Sequence, residues 1–167
     1  MTWDCVNLEK GTILVNKQLQ NVPGHPGEFR LVSTKSGKGR TITVAASVVS
    51  LLKKHKAVQT AERLKAGTLW QNNNFVFCDE VGEHLSPHTV YHNYKRIVAS
   101  IGLPNARLHD LRRTFAVLSL QNGDDLKTVQ DNLGHATAAF TLDVYGHVSE
   151  KMKEDSAARM EAYIKAL

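Results

Sequence analysis

The spacing of apolar residues divides the chain into a β-rich beginning and a helical remainder. Short runs of β-branched and apolar residues at 12–16, 28–32 and 41–44 predict three strands. Glycines and a serine in the segment 33–40 predict a hairpin turn between the second and third strands, and its cations make that turn basic. Proline and glycine in 21–27 predict a loop. The first 45 residues therefore predict a small antiparallel sheet.

From residue 46 onward the apolar residues recur every three or four positions, which is the spacing of amphipathic helices. A first helix is predicted at 46–65. A second begins where Ser86 can act as N-cap and Pro87 can occupy the first helical position. A third is predicted at 109–121. The short run 75–77 between the first two helices predicts a buried strand or a linker.

Three more helices are predicted after residue 122. Asp124 and Asp125 favour the start of a short helix that carries Leu126, Val129 and Leu133, and Gly134 can end it in a left-handed conformation. Two others follow: a short helix containing Phe140 and Val144, and a charged terminal helix that opens at Ser149 and carries Met152, Met160, Tyr163 and Ile164 on one side.

The apolar stripes of the longer helices predict which faces are buried. They consist of Val48, Leu51, Leu52, His55 and Val58 in the first helix, Val90, Tyr94, Ile97 and Ile101 in the second, and Leu111, Phe115 and Leu118 in the third. No repeat, low-complexity segment or linker divides the sequence. The prediction is one α+β domain, mostly helical, with a small three-stranded antiparallel sheet near its N-terminus.

Length and charge narrow the function classes only slightly. The 167 residues suffice for one domain with a real core. Lysine and arginine together number 21 against 16 acidic residues, a net charge of +5. A basic domain tends to meet polyanions, nucleic acid above all. A globular protein that is merely slightly basic is the alternative.

The cysteines and the apolar runs exclude several classes. Cys5 and Cys78 lie far apart, so they predict neither a disulfide scaffold nor a metal-ligand pair. A reducing cytoplasm is the simplest setting for such a chain. No apolar run approaches the length that spans a membrane, and no basic segment followed by an apolar stretch marks a signal peptide.

Four side chains, His109, Arg112, His135 and Tyr145, carry the most informative chemistry. They place a permanent cation, two imidazoles and a phenol within 37 residues. A phenol is a weak nucleophile near neutral pH and needs cations or a base nearby. A phosphoryl transition state spreads negative charge over its oxygens, which guanidinium groups stabilise well. The set suits attack of a tyrosine on a phosphodiester.

Each of these motifs is weak when taken alone. His109 and Arg112 are three residues apart on a predicted helix and share a face, but solvated cations at a helix start would look the same. Leu133-Gly134-His135 also fits a capped helix followed by a surface histidine. Tyr145 also fits half-buried packing at a helix end. The specificity lies in the order and spacing of the whole set.

That order and spacing resemble the catalytic domain of the tyrosine recombinase (phage-type integrase) family. The resemblance covers essentially the whole chain. Its motifs are His109-x-x-Arg112 followed by Thr114-Phe115-Ala116, then Leu133-Gly134-His135, then Thr141-Leu142-Asp143-Val144-Tyr145-Gly146-His147. It implies site-specific DNA recombination, that is integration or excision of a mobile element, by strand cleavage and rejoining without metal, ATP or another cofactor.

The resemblance also implies a role for each matching residue. Tyr145 is the nucleophile that forms a 3′-phosphotyrosine link and frees a 5′-hydroxyl. Arg112 binds non-bridging oxygens of the scissile phosphate. His109 assists proton movement or hydrogen-bonds that phosphate, and His135 supports it. Lys35, in the basic hairpin, protonates the leaving 5′-oxygen, and Lys38 is the reserve for that role.

Double-stranded DNA is the implied partner, and the implied assembly of the intact protein is a tetramer on DNA. Further residues are candidates for DNA contact: Lys38, Arg40, His88, His92, Lys95 and Arg96. The last four share the predicted helix after Ser86, where a solvated surface is the alternative. Two roles are possible for Arg113, a surface salt bridge and a phosphate contact. The terminal helix can pack either on its own domain or on a neighbouring subunit.

One departure from the family pattern concerns a further catalytic arginine. The family carries it in a helix just upstream of the segment that 2–8 resembles, and residues 1–167 lack both that helix and the core-binding domain. The chain is therefore expected to be a partial catalytic domain, inactive or nearly so by itself. The alternatives to a recombinase are a non-catalytic DNA-binding module with the same fold and a type IB topoisomerase-like enzyme.

Overall fold

The computed structural model of the chain describes residues 1–25, 27–34, 37, 39–134 and 150–166. The polypeptide forms two compact units, Met1–Arg96 and Ile97–Leu167. The first unit contains all the strands of the described residues and the longest helix. The second contains the helix that carries His109 and Arg112.

Two small antiparallel sheets occupy the beginning of the first unit. β1 (Val6–Asn7), β2 (Thr12–Val15) and β5 (Arg40–Thr43) form a three-stranded sheet in the order β1-β2-β5. β3 (Lys17–Asn21) and β4 (Phe29–Ser33) form a two-stranded hairpin. The α+β class and the small antiparallel sheet near the N-terminus are thereby confirmed.

The strand pairing differs from the prediction. The run at 29–33 does not pair with 40–43 across the basic turn. It pairs with β3, a strand that was not predicted, while β5 pairs with β2 in the register Ile13↔Ile42. β3 reads Lys-Gln-Leu-Gln-Asn, with one apolar residue in five, so its composition gave no strand signal. β3 forms a strand because its backbone pairs with that of β4.

Helix α1 (Ala46–Ala66) packs on the segment around Trp3 through a polar side chain. Gln59 is buried, accepts a hydrogen bond from Trp3 Nε1 at 2.6 Å and donates one to the carbonyl of Phe75 at 3.0 Å. The predicted apolar stripe is therefore partly wrong. Leu51 and Val58 are 65% and 58% exposed, because the buried row runs through Gln59.

The segment between α1 and the next helix closes the first unit. Val76 is fully buried, and Phe75 forms an isolated β-bridge with Thr2, so the predicted short buried strand at 75–77 is confirmed in part. Helix α2 (Pro87–Ser100) begins as predicted. Ser86 Oγ accepts a hydrogen bond from the backbone N–H of Thr89 at 3.1 Å. The predicted stripe of α2 is largely exposed.

Helices α3 (Leu108–Gln121) and α4 (Leu126–Leu133) build the core of the second unit. That core is the cluster Ala116, Leu120, Val129 and Leu133, with Leu126 packed against it. Asp125 caps α4 by accepting a hydrogen bond from the N–H of Thr128 at 2.9 Å. Gly134 ends the helix in the left-handed conformation, as predicted.

The predicted stripe of α3 is wrong. Leu111, Phe115 and Leu118 are all exposed, and Leu118 is 58% exposed. The buried row instead runs at four-residue intervals through Arg112, Ala116 and Leu120, because this face meets α4. The sequence pattern was misleading here since an arginine stands at the head of the buried row.

The terminal helix α5 spans Glu150–Lys165, and its Met160, Tyr163 and Ile164 are exposed. The predicted helix with Phe140 and Val144 lies outside the described residues. Among the helices of the described ranges, none combines the length and the apolar character needed to cross a membrane.

Candidate active site

His109 and Arg112 lie in the first turns of α3, as the sequence predicts. His109 is exposed and Arg112 is half-buried. Their different burial follows from their positions, because Arg112 belongs to the row that faces α4, whereas His109 lies outside that row. The helix thus holds an arginine against the unit's core and presents an imidazole to solvent one turn earlier.

Arg112 is tied to the motif that precedes His135. Its Nη2 donates a hydrogen bond to the backbone carbonyl of Leu133, the last residue of α4. The C-terminus of a helix carries partial negative charge, so this end of α4 also attracts the guanidinium electrostatically. Gly134 follows in the left-handed conformation, with φ 64° and ψ 41°. The structure therefore connects two motifs that lie 21 residues apart in sequence.

A second arrangement fixes the beginning of α3. The Asp110 carboxylate accepts hydrogen bonds from the backbone N–H of Arg107 at 2.9 Å and from its Nη2 at 2.9 Å. These hydrogen bonds hold the pKa of Asp110 below its ordinary value, and they raise the pKa of the Arg107 guanidinium. These hydrogen bonds cap the N-terminal end of α3 and stabilise its first turn, on which His109 lies.

This capping arrangement was not predicted, although the sequence carries a signal for it. An acidic residue three positions after the N-cap is the spacing of a capping box. The N-cap here is Arg107 rather than the usual serine or threonine, and the predicted helix began one residue late. Arg113, the neighbour of Arg112, is exposed, and its charge also lowers the pKa of Asp110.

Four of the predicted site residues lie outside the described residues: Lys35, Lys38, His135 and Tyr145. His135 directly follows Gly134, so the described chain leads up to it. The roles of these four residues stay predictions from the resemblance.

The other residues predicted to contact DNA lie in the first unit. Arg40 begins β5, opposite Val15. His88 and His92 are exposed on α2, with their rings stacked at a centroid distance of 6.3 Å. Further along α2, Lys95 is half-buried and Arg96 is exposed. The spacing of His88, His92 and Arg96 places them on one face of the helix.

Comparison with known proteins identifies the family. Residues 1–152 match the phage integrase family. The chain is 33% identical to a XerC-like tyrosine recombinase of Caldanaerobacter subterraneus over 167 aligned residues, which are 93% of this chain and 42% of that protein. It is 32% identical to an integrase of Saccharopolyspora erythraea, over 79% of this chain and 30% of that protein.

Solved structures share the fold. The Tn1549 transposon integrase in complex with transposon right end DNA matches with a TM-score of 0.74 at 19% identity, over 97% of this chain and 52% of that one. The XerH recombinase bound to its difH substrate matches with a TM-score of 0.61 at 28% identity, over 96% of this chain and 40% of that one. The chain thus spans about half or less of each of these proteins. It belongs to the phage integrase family of tyrosine recombinases.

Proposed function

We propose that this domain performs the phosphodiester cleavage and rejoining steps of site-specific DNA recombination, with Tyr145 as the nucleophile. The observation that carries the proposal is the hydrogen bond from Arg112 to the Leu133 carbonyl. It places a guanidinium beside the turn that leads through Gly134 to His135. A guanidinium at this position suits the stabilisation of a phosphoryl transition state, and we propose that the imidazole of His135 acts on the same phosphate.

The proposed chemistry divides among five side chains. Tyr145 attacks the scissile phosphate and forms a 3′-phosphotyrosine bond while the 5′-oxygen leaves. Arg112 and His135 bind the non-bridging oxygens, and His109 assists proton movement or hydrogen-bonds the phosphate. Lys35 protonates the leaving oxygen, with Lys38 as the reserve. Rejoining reverses these steps when another 5′-hydroxyl attacks the phosphotyrosine.

Double-stranded DNA is the proposed substrate and partner, and a tetramer on DNA the proposed assembly. The net charge of +5 and the aligned His88, His92 and Arg96 on α2 support contact with a polyanion. The Tn1549 integrase and XerH, which share this fold, were both solved with DNA.

Complete activity is proposed to need a further arginine beyond residues 1–167. Removing one charge donor from such a site typically lowers the rate on the order of 100- to 1000-fold. We therefore propose that the 167-residue chain binds DNA but cleaves it poorly. The family pattern implies that the N-terminal half of the Caldanaerobacter relative carries such an arginine, and we propose that joining the chain behind that half supplies it.

The test is trapping of a covalent protein–DNA adduct. Duplexes that bind the 167-residue chain are selected from a random pool and then nicked, so that the released strand diffuses away and cannot rejoin. The chimera is expected to form an adduct that survives denaturing electrophoresis, and Tyr145→Phe is expected to remove it while binding is kept. The 167-residue chain is expected to form little or none.

Three outcomes would contradict the proposal in whole or in part. An adduct that persists in Tyr145→Phe would assign the nucleophile elsewhere. Binding without any adduct in the chimera would favour the second candidate, a non-catalytic DNA-binding module with a recombinase fold. A strong Tyr145-dependent adduct formed by the 167-residue chain itself would refute the requirement for a further arginine.

A further inference from the structure

The first unit contains a cavity of about 220 Å³ that the proposed chemistry does not use. It lies against one face of α1 and against the segment that follows this helix. Trp3 and Trp70 both line it, and they are the two tryptophans of the sequence. Of the residues proposed for cleavage, the two that the structure describes, His109 and Arg112, do not line this cavity.

The charge of the cavity is positive. Lys56 and Arg63 line it from α1, two turns apart on the same face of the helix. Lys56 Nζ lies 5.0 Å from the centre of the Trp3 ring, a cation–π contact. No aspartate or glutamate is found among the described residues that line the cavity. Its walls thus combine two flat aromatic surfaces with two cations.

The aromatic walls are held in place before any ligand arrives. Trp3 Nε1 donates to Gln59, whose own amide is anchored to the carbonyls of Phe75 and Val76 at 3.0 and 3.2 Å. Trp70 packs on the backbone of Gly82, where a Cβ atom would come within 2.8 Å of the indole. A binding site whose walls are fixed loses little entropy when a ligand binds.

We propose that this cavity binds a nucleobase that carries a phosphate. The base would stack on an indole ring, and Lys56 and Arg63 would bind the phosphate. Aromatic side chains next to cations are the usual means of holding an unpaired nucleotide without sequence preference. Asn72 and Asn74 also line the cavity and offer amide groups to a base edge. The ligand would be a free nucleotide or an unpaired nucleotide of a DNA strand.

Tryptophan fluorescence provides a direct test, because both tryptophans of the chain line the cavity. The 167-residue chain is titrated separately with a deoxynucleoside monophosphate, a short single-stranded oligonucleotide and inorganic phosphate. The same titrations of free tryptophan correct for the light that the ligands absorb. A saturable change is expected with the nucleotide or the oligonucleotide, and none with phosphate alone. The affinities of the monophosphate and the oligonucleotide are compared per phosphate group. Tighter binding of the monophosphate would identify a free nucleotide as the ligand, and tighter binding of the oligonucleotide would identify an unpaired nucleotide of a DNA strand.

Substitutions locate the binding. Lys56→Gln and Arg63→Gln are each expected to weaken it about tenfold, the effect of losing one charge-assisted contact to a phosphate. Lys54→Gln is the matched control, since Lys54 is exposed on α1 and does not line the cavity. Circular dichroism checks that each variant is folded.

Several results would overturn the proposal: no saturable change with either nucleotide ligand, the same change with inorganic phosphate, or equal affinity in the Lys56 and Lys54 variants. Tighter binding of an acidic aromatic peptide than of either nucleotide ligand would also overturn it and assign the cavity to a protein partner. None of these readouts depends on DNA cleavage, so the proposal can fail while the proposed function stands.

Discussion

Arg112 on α3 and Leu133 at the end of α4 are joined by a hydrogen bond from guanidinium to backbone carbonyl. The acceptor is a main-chain atom, so its position depends on where α4 ends. Gly134 fixes that end by its left-handed conformation. The orientation of one proposed catalytic residue therefore depends on the helix cap next to another.

Arg112→Lys tests whether the fork of the guanidinium is needed. A lysine ammonium is a point charge and cannot bind a carbonyl and a phosphate through a planar array of donors. In the chimera we expect adduct formation to fall on the order of 100- to 1000-fold with folding retained. The rate of adduct formation on a nicked duplex measures this. Arg30→Lys, the same change at an exposed residue of β4, is the control and should have little effect.

Leu120→Ala and Leu118→Ala test which face of α3 is buried. Leu120 is 5% exposed within the core cluster, so its truncation should lower the free energy of unfolding by about 2–5 kcal/mol. Leu118 is largely exposed, and its truncation should change that free energy by about 0.5 kcal/mol or less. Urea denaturation followed by circular dichroism compares the two. Equal losses would show that the exposed face is covered in solution.

The cap of α4 predicts a dependence of stability on pH. Hydrogen bonds from the side chain and the backbone of Thr128 hold the pKa of Asp125 below its ordinary value. A carboxyl whose pKa is lower in the folded state stabilises the fold above its unfolded pKa, and this contribution is lost as the pH falls through the folded pKa. Asp125→Ala should therefore lower the Tm by about 2–4 °C at neutral pH.

Below about pH 4 that difference between Asp125→Ala and the parent chain should shrink, and at still lower pH it should vanish. Calorimetry at several pH values measures it. Asp124→Ala is the matched control, because the side chain that accepts the Thr128 N–H is that of Asp125. A difference that stays constant down to low pH would mean that the carboxylate charge is not what caps the helix.

Gly82→Ala should destabilise the fold by more than the positive φ angle at this position alone explains. Gly82 and Gly24 have similar positive φ angles, 83° and 79°. A side chain at either position costs about 1–2 kcal/mol for the left-handed conformation. At Gly82 a Cβ would also lie 2.5 Å from the carbonyl oxygen of Gln71, whereas nothing lies within 4 Å at Gly24. The excess destabilisation of Gly82→Ala over Gly24→Ala, measured by thermal unfolding, reports the steric clash.

Salt dependence tests the proposed DNA contact of α2. If Arg96 binds a phosphate, Arg96→Gln should reduce the slope of log affinity against log salt by about 1 and weaken binding to all sequences alike. Lys65→Gln removes a charge from an exposed position in the last turn of α1 and is the control. Fluorescence anisotropy with a labelled duplex measures both. Identical slopes for the two variants would remove Arg96 from the interface.

Local signals predicted the helices well because each signal acts within one turn. Ser86 caps α2, Asp125 caps α4 and Gly134 ends it, as the sequence indicates. The strand pairs were not predictable in the same way, because β3 has little apolar character and its partner is selected by contacts across a loop.

The buried faces were mispredicted where polar side chains occupy them. Gln59 and Arg112 stand in the rows that α1 and α3 bury, and both are accommodated by hydrogen bonds to backbone carbonyls distant in sequence. A hydrophobic pattern assigns such residues to the surface. Their burial depends on acceptors that only the folded chain brings near. The motifs of the site were recognisable, but the contact between Arg112 and Leu133 was not.

The placement of the β3–β4 hairpin has a consequence for how the domain can change. β2 and β5 pair directly, with Val15 opposite Arg40, and the hairpin is nested between these two partners in sequence. Lengthening, shortening or exchanging residues 17–33 would therefore leave the register of the three-stranded sheet intact. The hairpin is a segment whose length evolution or a protein engineer can vary, provided that Phe29 keeps its edge contact with the ring of His84 at 4.7 Å.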